Sequence, residues 1–359
     1  MAGKQEGGRL VYADLMRVAA MLAVIIIHVS GGWLESLPVG TADWHALNAW
    51  DSLTRWAVPV FVMCSGMFLM DPKKSLSLPT LFFRYFLRMV TALFFWGVAY
   101  HLLYDLLSGT LSLGSLPHAL YAVVLGNTET HLWFLTMMMG LYLLTPILRA
   151  FIRGASRGDL HWFFLIYAAF MLVLPLFLRL RGSQTAALYA DRFYLNFTLA
   201  FPPLAYVGYF VAGYYLKTYT LGRIAEWLIY LLGIGGAVVT VGGTTLLSTR
   251  AGGLDTTLYS YLTPNVCAMA VAIFVLFRYL LGVSDERSRK GQVSSMAACG
   301  FGVYLSHVIF LILLRHFGLA ILPIPAAVAV PLLTIVIFIP SYALSWLLHK
   351  LPVVGRYLT

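Results

Sequence analysis

Long apolar runs, separated by short polar or glycine- and proline-containing breaks, fill most of this chain. A membrane-crossing helix needs about 20 mostly apolar residues. Ten stretches meet that length: roughly 11–33, 52–70, 82–107, 131–151, 161–181, 197–217, 227–247, 258–281, 298–318 and 326–348. The pattern predicts an all-α polytopic membrane protein of about ten transmembrane helices, forming a single domain over 1–359. The stretches 34–51, 108–130 and 182–196 read as short outer loops, too small for a separate soluble domain. No internal repeat of the kind common in transporters is visible.

Composition sharpens this picture. Hydrophobic residues make up 60% and charged residues 11%, against roughly 45–50% and about 25% in soluble domains. A soluble fold, a disordered chain, a collagen and a disulfide scaffold are all excluded. The net charge of +10 fits Lys and Arg gathered in cytoplasmic loops better than nucleic-acid binding. With the N-terminus inside, 17 basic residues fall on the cytoplasmic side, among them Lys4, Arg9, Lys73, Lys74, Arg84, Arg88, Arg149, Arg287 and Arg289. Six fall outside: Arg55, Arg179, Arg181, Arg192, Arg250 and Arg315. Arg17 sits within the first helix. This asymmetry predicts N-in, C-in and an even helix count. The first apolar stretch carries Asp14 and Arg17 and ends without a small-residue cleavage site, so it reads as a retained helix. Cys64, Cys267 and Cys299 lie in apolar stretches without metal-ligand spacing and read as small core residues.

Ionisable residues inside a bilayer are costly, so each is a functional candidate. Asp14 and Arg17 are i,i+3 neighbours on the first helix. His28 follows Arg17 by just over three turns, on the same face and about 16 Å further along. A polar stripe thus runs along one helix; the plainer alternative is a snorkelling Arg and a hydrogen-bonded core His. Arg84 and Arg88 are spaced i,i+4 at the start of the third helix, where guanidinium groups serve either phosphate recognition or positive-inside anchoring. His131 and Trp133 open the fourth helix, and Tyr304 and His307 share a face of the ninth, each pair open to a site or a structural role. Ser65 and Gly66 read first as close-packing residues. Asn265 is either a polar site residue or interhelical glue. No Walker A, H-E-x-x-H, G-x-S-x-G or His-x4-Asp pattern occurs.

These residues carry a family resemblance. Asp14-Leu-Met-Arg17 through His28 is similar to an Arg-x10-His first-helix motif. Val58-Pro-Val-Phe-Val-Met-Cys-Ser65-Gly66, His131-Leu-Trp133-Phe with Leu141-Tyr142-Leu-Leu-Thr-Pro146, and Gly302-Val-Tyr304-Leu-Ser-His307 follow in family order. The chain resembles the acyltransferase-3 family of integral membrane acyltransferases, in a branch similar to enterobacterial common antigen O-acetyltransferases. One motif departs: the third-helix Arg-x-x-Arg is matched by Arg88 at its second position, but Tyr85 stands at the first, just after Arg84.

The resemblance implies an O-acetyltransferase of the cell inner membrane that modifies an envelope polysaccharide. Its donor is cytosolic acetyl-CoA and its acceptor a hydroxyl of an extracytoplasmic glycan or glycolipid. Its partners are these substrates and the lipid bilayer, with no metal and no nucleic acid. On this reading His28 is the general base or a covalent acyl carrier. Arg17 positions the donor or stabilises its carbonyl oxygen, and Asp14 orients Arg17. Arg84 and Arg88 bind CoA phosphates. His131, Trp133, Tyr304 and His307 contact substrate, with Trp33 and Glu35 near the outer approach. The competing class is a transporter or flippase for a glycolipid or organic anion. Within enzymes, the alternatives are another acyl donor, such as succinyl-CoA, or an amine acceptor.

Overall fold

The computed structural model describes residues 10–181, 202–281, 290–352 and 354–359. The predicted outer loop 182–196 and residues 197–201 lie outside these residues, as do Lys4, Arg9, Arg192, Arg287 and Arg289. Among the described residues the structure is helical, without strands, and nine segments are long and apolar enough to cross a membrane. The all-α polytopic expectation therefore holds.

The elements are α1 (Val11–Leu34), α2 (Ala42–Thr54), α3 (Ala57–Leu69), α4 (Leu78–Leu107), α5 (Ser115–Val124), α6 (Thr130–Gly154), α7 (Arg157–Leu180), α8 (Val207–Thr218), α9 (Arg223–Ala251), α10 (Pro264–Tyr279), α11 (Lys290–His316), α12 (Ala326–His349) and a short α13 (Val354–Leu358). Helix α8 is the described part of the sixth predicted span. In α7 and α9, only 17% and 22% of the apolar window is buried, so most of their side chains face outward, as lipid contact requires.

Two predicted loops are corrected. The stretch 34–51 contains most of α2, and 108–130 contains α5. Helix α2 is started by Thr41, whose hydroxyl accepts from the Trp44 amide at 3.3 Å. It looks like a loop in sequence because it carries Asn48, Asp51 and Ser52. In the fold all three are fully buried. Asn48 Nδ2 donates to Val241 O at 3.0 Å and Thr245 Oγ1 at 2.9 Å, and the Tyr259 hydroxyl donates to Asn48 Oδ1 at 2.6 Å. Polar groups without water must bond one another, and here that ladder ties α2 to α9.

Helices α3 and α8 approach backbone to backbone. A Cβ on Gly66 would strike the Phe210 carbonyl, and one on Gly213 the Met63 carbonyl. This is the close packing read from Ser65-Gly66, and it works through small residues because lipid offers no hydrophobic drive between helices. Asn265 is interhelical glue: its Nδ2 donates to Thr240 Oγ1 at 2.9 Å and Leu258 O at 2.8 Å. Cys64 and Cys299 are buried free thiols, and Cys267 is a half-buried one.

Leu10 lines the same cavity as Arg88, and the Thr359 carbonyl accepts from Arg88. Both ends of the described chain thus lie at one face, beside Lys74, Arg84 and Arg149. We call it the basic end, and the opposite face the far end.

Candidate functional site

Three histidines from three helices meet at depth. His28 of α1 lies 5.1 Å, ring centre to ring centre, from His307 of α11, and 6.0 Å from His131 of α6. His131 and His307 are 5.2 Å apart. The rings are tied down by backbone. His307 Nδ1 bonds Tyr304 O at 2.6 Å, His131 Nε2 contacts Leu305 O at 3.4 Å, and the Tyr304 hydroxyl donates to the His131 carbonyl. The other ring nitrogens, His131 Nδ1 and His307 Nε2, are buried without a hydrogen-bond partner among the described residues. Buried polar atoms are nearly always bonded, so two free nitrogens beside a third imidazole indicate a ligand-directed cluster. His131 and His307 are fully enclosed, whereas His28 is half-buried.

Toward the basic end lie two adjoining cavities of about 690 and 760 Å³ that share Arg88 and Ala298. Asp14, Arg17, Ser65, Lys74, Tyr85 and Tyr142 line the inner one. Arg84, His349, Tyr357 and Thr359 line the other. Asp14 and Arg17 pair at 3.7 Å, the Arg17 guanidinium lies 5.0 Å from the centre of the Phe68 ring, and Ser294 Oγ donates to Asp14 at 3.2 Å. The departure at Tyr85 falls in an irregular stretch of backbone. Residues Leu81–Phe86 form a π turn, which widens the helix locally. Arg84 and Arg88 line the side cavity, while Tyr85 lines the inner one and meets Tyr142 at 5.9 Å.

The inner cavity ends at Phe61, Phe134 and Tyr304. Their rings form a closed triangle, with centres 6.2 Å (Phe61–Phe134), 5.4 Å (Phe134–Tyr304) and 6.3 Å (Phe61–Tyr304) apart. His28 lines neither cavity. The polar stripe of α1 is therefore divided: Asp14 and Arg17 line the inner cavity, and the partly exposed His28 lies past the aromatic collar.

The sequence-predicted candidates thus divide. His28, His131, Tyr304 and His307 come together. Asp14, Arg17, Arg84 and Arg88 gather around the cavities below. Trp133 stands apart, stacked on Tyr261 at 6.1 Å and tilted against Tyr206 at 5.6 Å. Trp33 is buried in an apolar cluster with Trp44 and Leu47 and is unavailable to a sugar; Glu35 is exposed at the end of α1. Sequence reasoning missed Phe61 and Phe134 as a barrier, since aromatics are ordinary in a membrane helix. It counted Arg149 only as a loop charge, yet Arg149 is buried and donates to Leu69 O at 2.7 Å and to Lys74 O, pinning the α3–α4 connection. No cluster of potential metal ligands occurs among the described residues.

The family model for an acyltransferase domain, that of acyltransferase-3, matches residues 10–350. The chain belongs to the acyltransferase-3 family. That membership supports membrane acyl transfer over the transporter reading. Neither a curated protein nor a solved structure matches it.

Proposed function

We propose that this acyltransferase moves acetyl from acetyl-CoA, entering at a cytoplasmic basic end, to a hydroxyl of an extracytoplasmic glycan or glycolipid at the far end. The setting is a cell inner membrane, and the product an O-acetylated envelope polysaccharide, as in the branch the sequence resembles. The observation that carries this reading is the convergence of His28, His131 and His307 directly beyond a basic, ligand-sized cavity. Ligand sites usually measure about 300–1,000 Å³, and each of the two joined cavities falls in that range.

The division of labour follows from position. Arg88, with Arg84 at the rim, suits the phosphates of CoA, because guanidinium binds phosphate through paired hydrogen bonds. Arg17 sits about 16 Å along the helix from His28. An oxyanion donor must lie about 3 Å from the developing charge. Arg17, oriented by Asp14, is therefore a donor-positioning group and not the oxyanion donor.

His28 has the exposed face and acts on the hydroxyl. As general base it takes the hydroxyl proton while the oxygen bonds to the acetyl carbon. The carbon–sulfur bond breaks, and the proton returns to the departing CoA thiolate. As acyl carrier, its ring nitrogen bonds to the acetyl carbon as the carbon–sulfur bond breaks and CoA leaves as the thiol; the acceptor oxygen then bonds to that carbon, loses its proton and frees the ring nitrogen. His131 and His307 hold the opposite side of the pocket.

The test is acetyl-CoA labelled in its acetyl group, supplied to the purified full-length protein with a glycan acceptor, the product being read by mass spectrometry. His28→Ala is expected to lower transfer about 10²–10⁴-fold at unchanged protein abundance. Near-normal turnover by that variant overturns the assignment. The added mass and the linkage decide between acetyl and other acyl groups and between alcohol and amine.

A further inference from the structure

On the far side of His28 the helix face continues into two glycines. Gly31 and Gly32 are i+3 and i+4 from His28 and share its face, about 4.5–6 Å further out by helix rise. Each is met by a charged side chain from another helix. The Cβ that Gly31 lacks would lie 3.1 Å from Asp51 Oδ2, and the one Gly32 lacks would collide with Arg315 Nη2. The bare backbone thus makes room for a carboxylate and a guanidinium one turn beyond the imidazole.

Arg55, at the junction of α2 and α3, completes the group. Its Nε pairs with Asp51 Oδ1, and its guanidinium lies 4.3 Å from the centre of the Tyr259 ring. Tyr261, the ring on which Trp133 stacks, is within its electrostatic reach. Arg55 and Arg315 are both within electrostatic reach of His28.

Two features mark this as a site for a ligand. Asp51 is fully buried, yet its Oδ2 has no hydrogen-bond partner among the described residues. A sugar hydroxyl is a donor suited to that oxygen. Arg315 is the second feature. It is exposed, and its guanidinium lies over Gly32, one turn from His28. Arg55 is neutralised by Asp51. No described carboxylate lies within ion-pair distance of Arg315. One positive charge, that of Arg315, is left over beside Gly32.

We infer that Asp51, Arg55 and Arg315 form an acceptor subsite that selects a glycan bearing an anionic group next to the hydroxyl to be acylated. Asp51 takes a sugar hydroxyl, Arg55 holds Asp51 in place, and Arg315 pairs with the anion. The inference rests on the transfer reading above and names the acceptor class for the same site. The anion has two possible sources, a sugar carboxylate or a phosphodiester joining the sugar to lipid.

Three probes separate these sources on the full-length protein: p-nitrophenyl β-D-glucuronide, glucose 1-(octyl phosphate) and neutral p-nitrophenyl β-D-glucoside. Binding is measured by calorimetry and acetylation with acetyl-CoA. At least one anionic probe is expected to exceed the glucoside by about tenfold or more, the range of a charge-assisted hydrogen bond, and which one identifies the source. Arg315→Gln removes that preference by raising KM for the anionic probe, with KM for acetyl-CoA unchanged. Gly32→Ala, which displaces the Arg315 guanidinium, gives the same loss without altering a charge. Equal binding of all three probes, failure of both anionic probes to bind, or a preference that survives Arg315→Gln overturns the inference. Arg315-dependent binding without acetyl transfer keeps the subsite and rejects the transfer reading. Transfer to the glucoside as efficient as to the charged probes does the reverse.

Discussion

The aromatic collar makes a quantitative demand. Phe134 touches both other members, Phe61 and Tyr304, and is 8% exposed. Each ring–ring contact contributes about 0.5–1.5 kcal/mol beyond area burial. Phe134→Ala removes two, so the closed collar loses about 1–3 kcal/mol relative to the open one. At about 1.4 kcal/mol per tenfold, the open population rises by about 5- to 140-fold. The donor cavity then communicates with the far side, and water gains access to the thioester. Release of CoA thiol from acetyl-CoA without acceptor, followed with a thiol reagent, is expected to rise by about fivefold or more. The variant should bind acetyl-CoA as before, because Arg84 and Arg88 lie at the other end of the cavities. Acceptor-free release equal to wild type, with donor binding intact, would show that these rings are not the barrier.

Three further outcomes follow from the same geometry. Arg88, shared by both cavities, should raise KM for acetyl-CoA by about tenfold or more when changed to Ala, the worth of a lost charge-assisted bond. Exposed Arg84→Ala should raise it by less than about fivefold; equal effects would reject the ranking. Arg149→Ala loses two bonds to backbone carbonyls, each worth about 1.5–3 kcal/mol. It should therefore lower the thermal midpoint of the purified protein, and an unchanged midpoint would contradict the anchoring role. Acetyl-labelled CoA separates the two roles of His28: label retained on rapidly quenched wild type and absent from His28→Ala marks the acyl-carrier route. Unlabelled wild type would eliminate the acyl-carrier route and leave His28 as general base.

The fold was legible where burial and hydrophobicity agree. Nine of the ten apolar stretches coincide with crossing segments among the described residues, because in lipid a 20-residue apolar run has few alternatives to a helix. Helix α2 was not legible, since Asn48 and Ser52 bond each other and α9, and Asp51 pairs with Arg55, only once the chain has folded. The meeting of His28, His131 and His307 shows the same limit. Each was visible as an ionisable residue in a span, but their separation in sequence carries no distance. Phe61 and Phe134 left no trace, because an aromatic collar and lipid-facing aromatics share one composition. Arg55 and Arg315 registered only as outer charges; Gly32 makes room for Arg315, and Asp51, lodged against Gly31, holds Arg55. The π turn that parts Tyr85 from Arg84 changes the face each residue occupies, which a regular 3.6-residue periodicity hides.

The closed collar also bears on why transfer suits this architecture better than transport. A transporter that moves an intact solute must exchange its barrier from one side of the site to the other, typically by rocking one bundle against another. Here the His131 and His307 imidazoles are tethered to backbone carbonyls of α11, and the His131 imidazole and the Tyr304 hydroxyl tie α6 to α11. Such rocking would break these bonds where no water can replace them. In the proposed reaction the bulk of each substrate stays on its own side, and only the narrow acetyl-thioester end of the donor reaches the imidazole. Moving one ring of the triangle opens a path of that width while the histidine tethers stay intact. A wall directly beneath the imidazoles is then no obstacle to the chemistry: it keeps water from the thioester until an acceptor is in position.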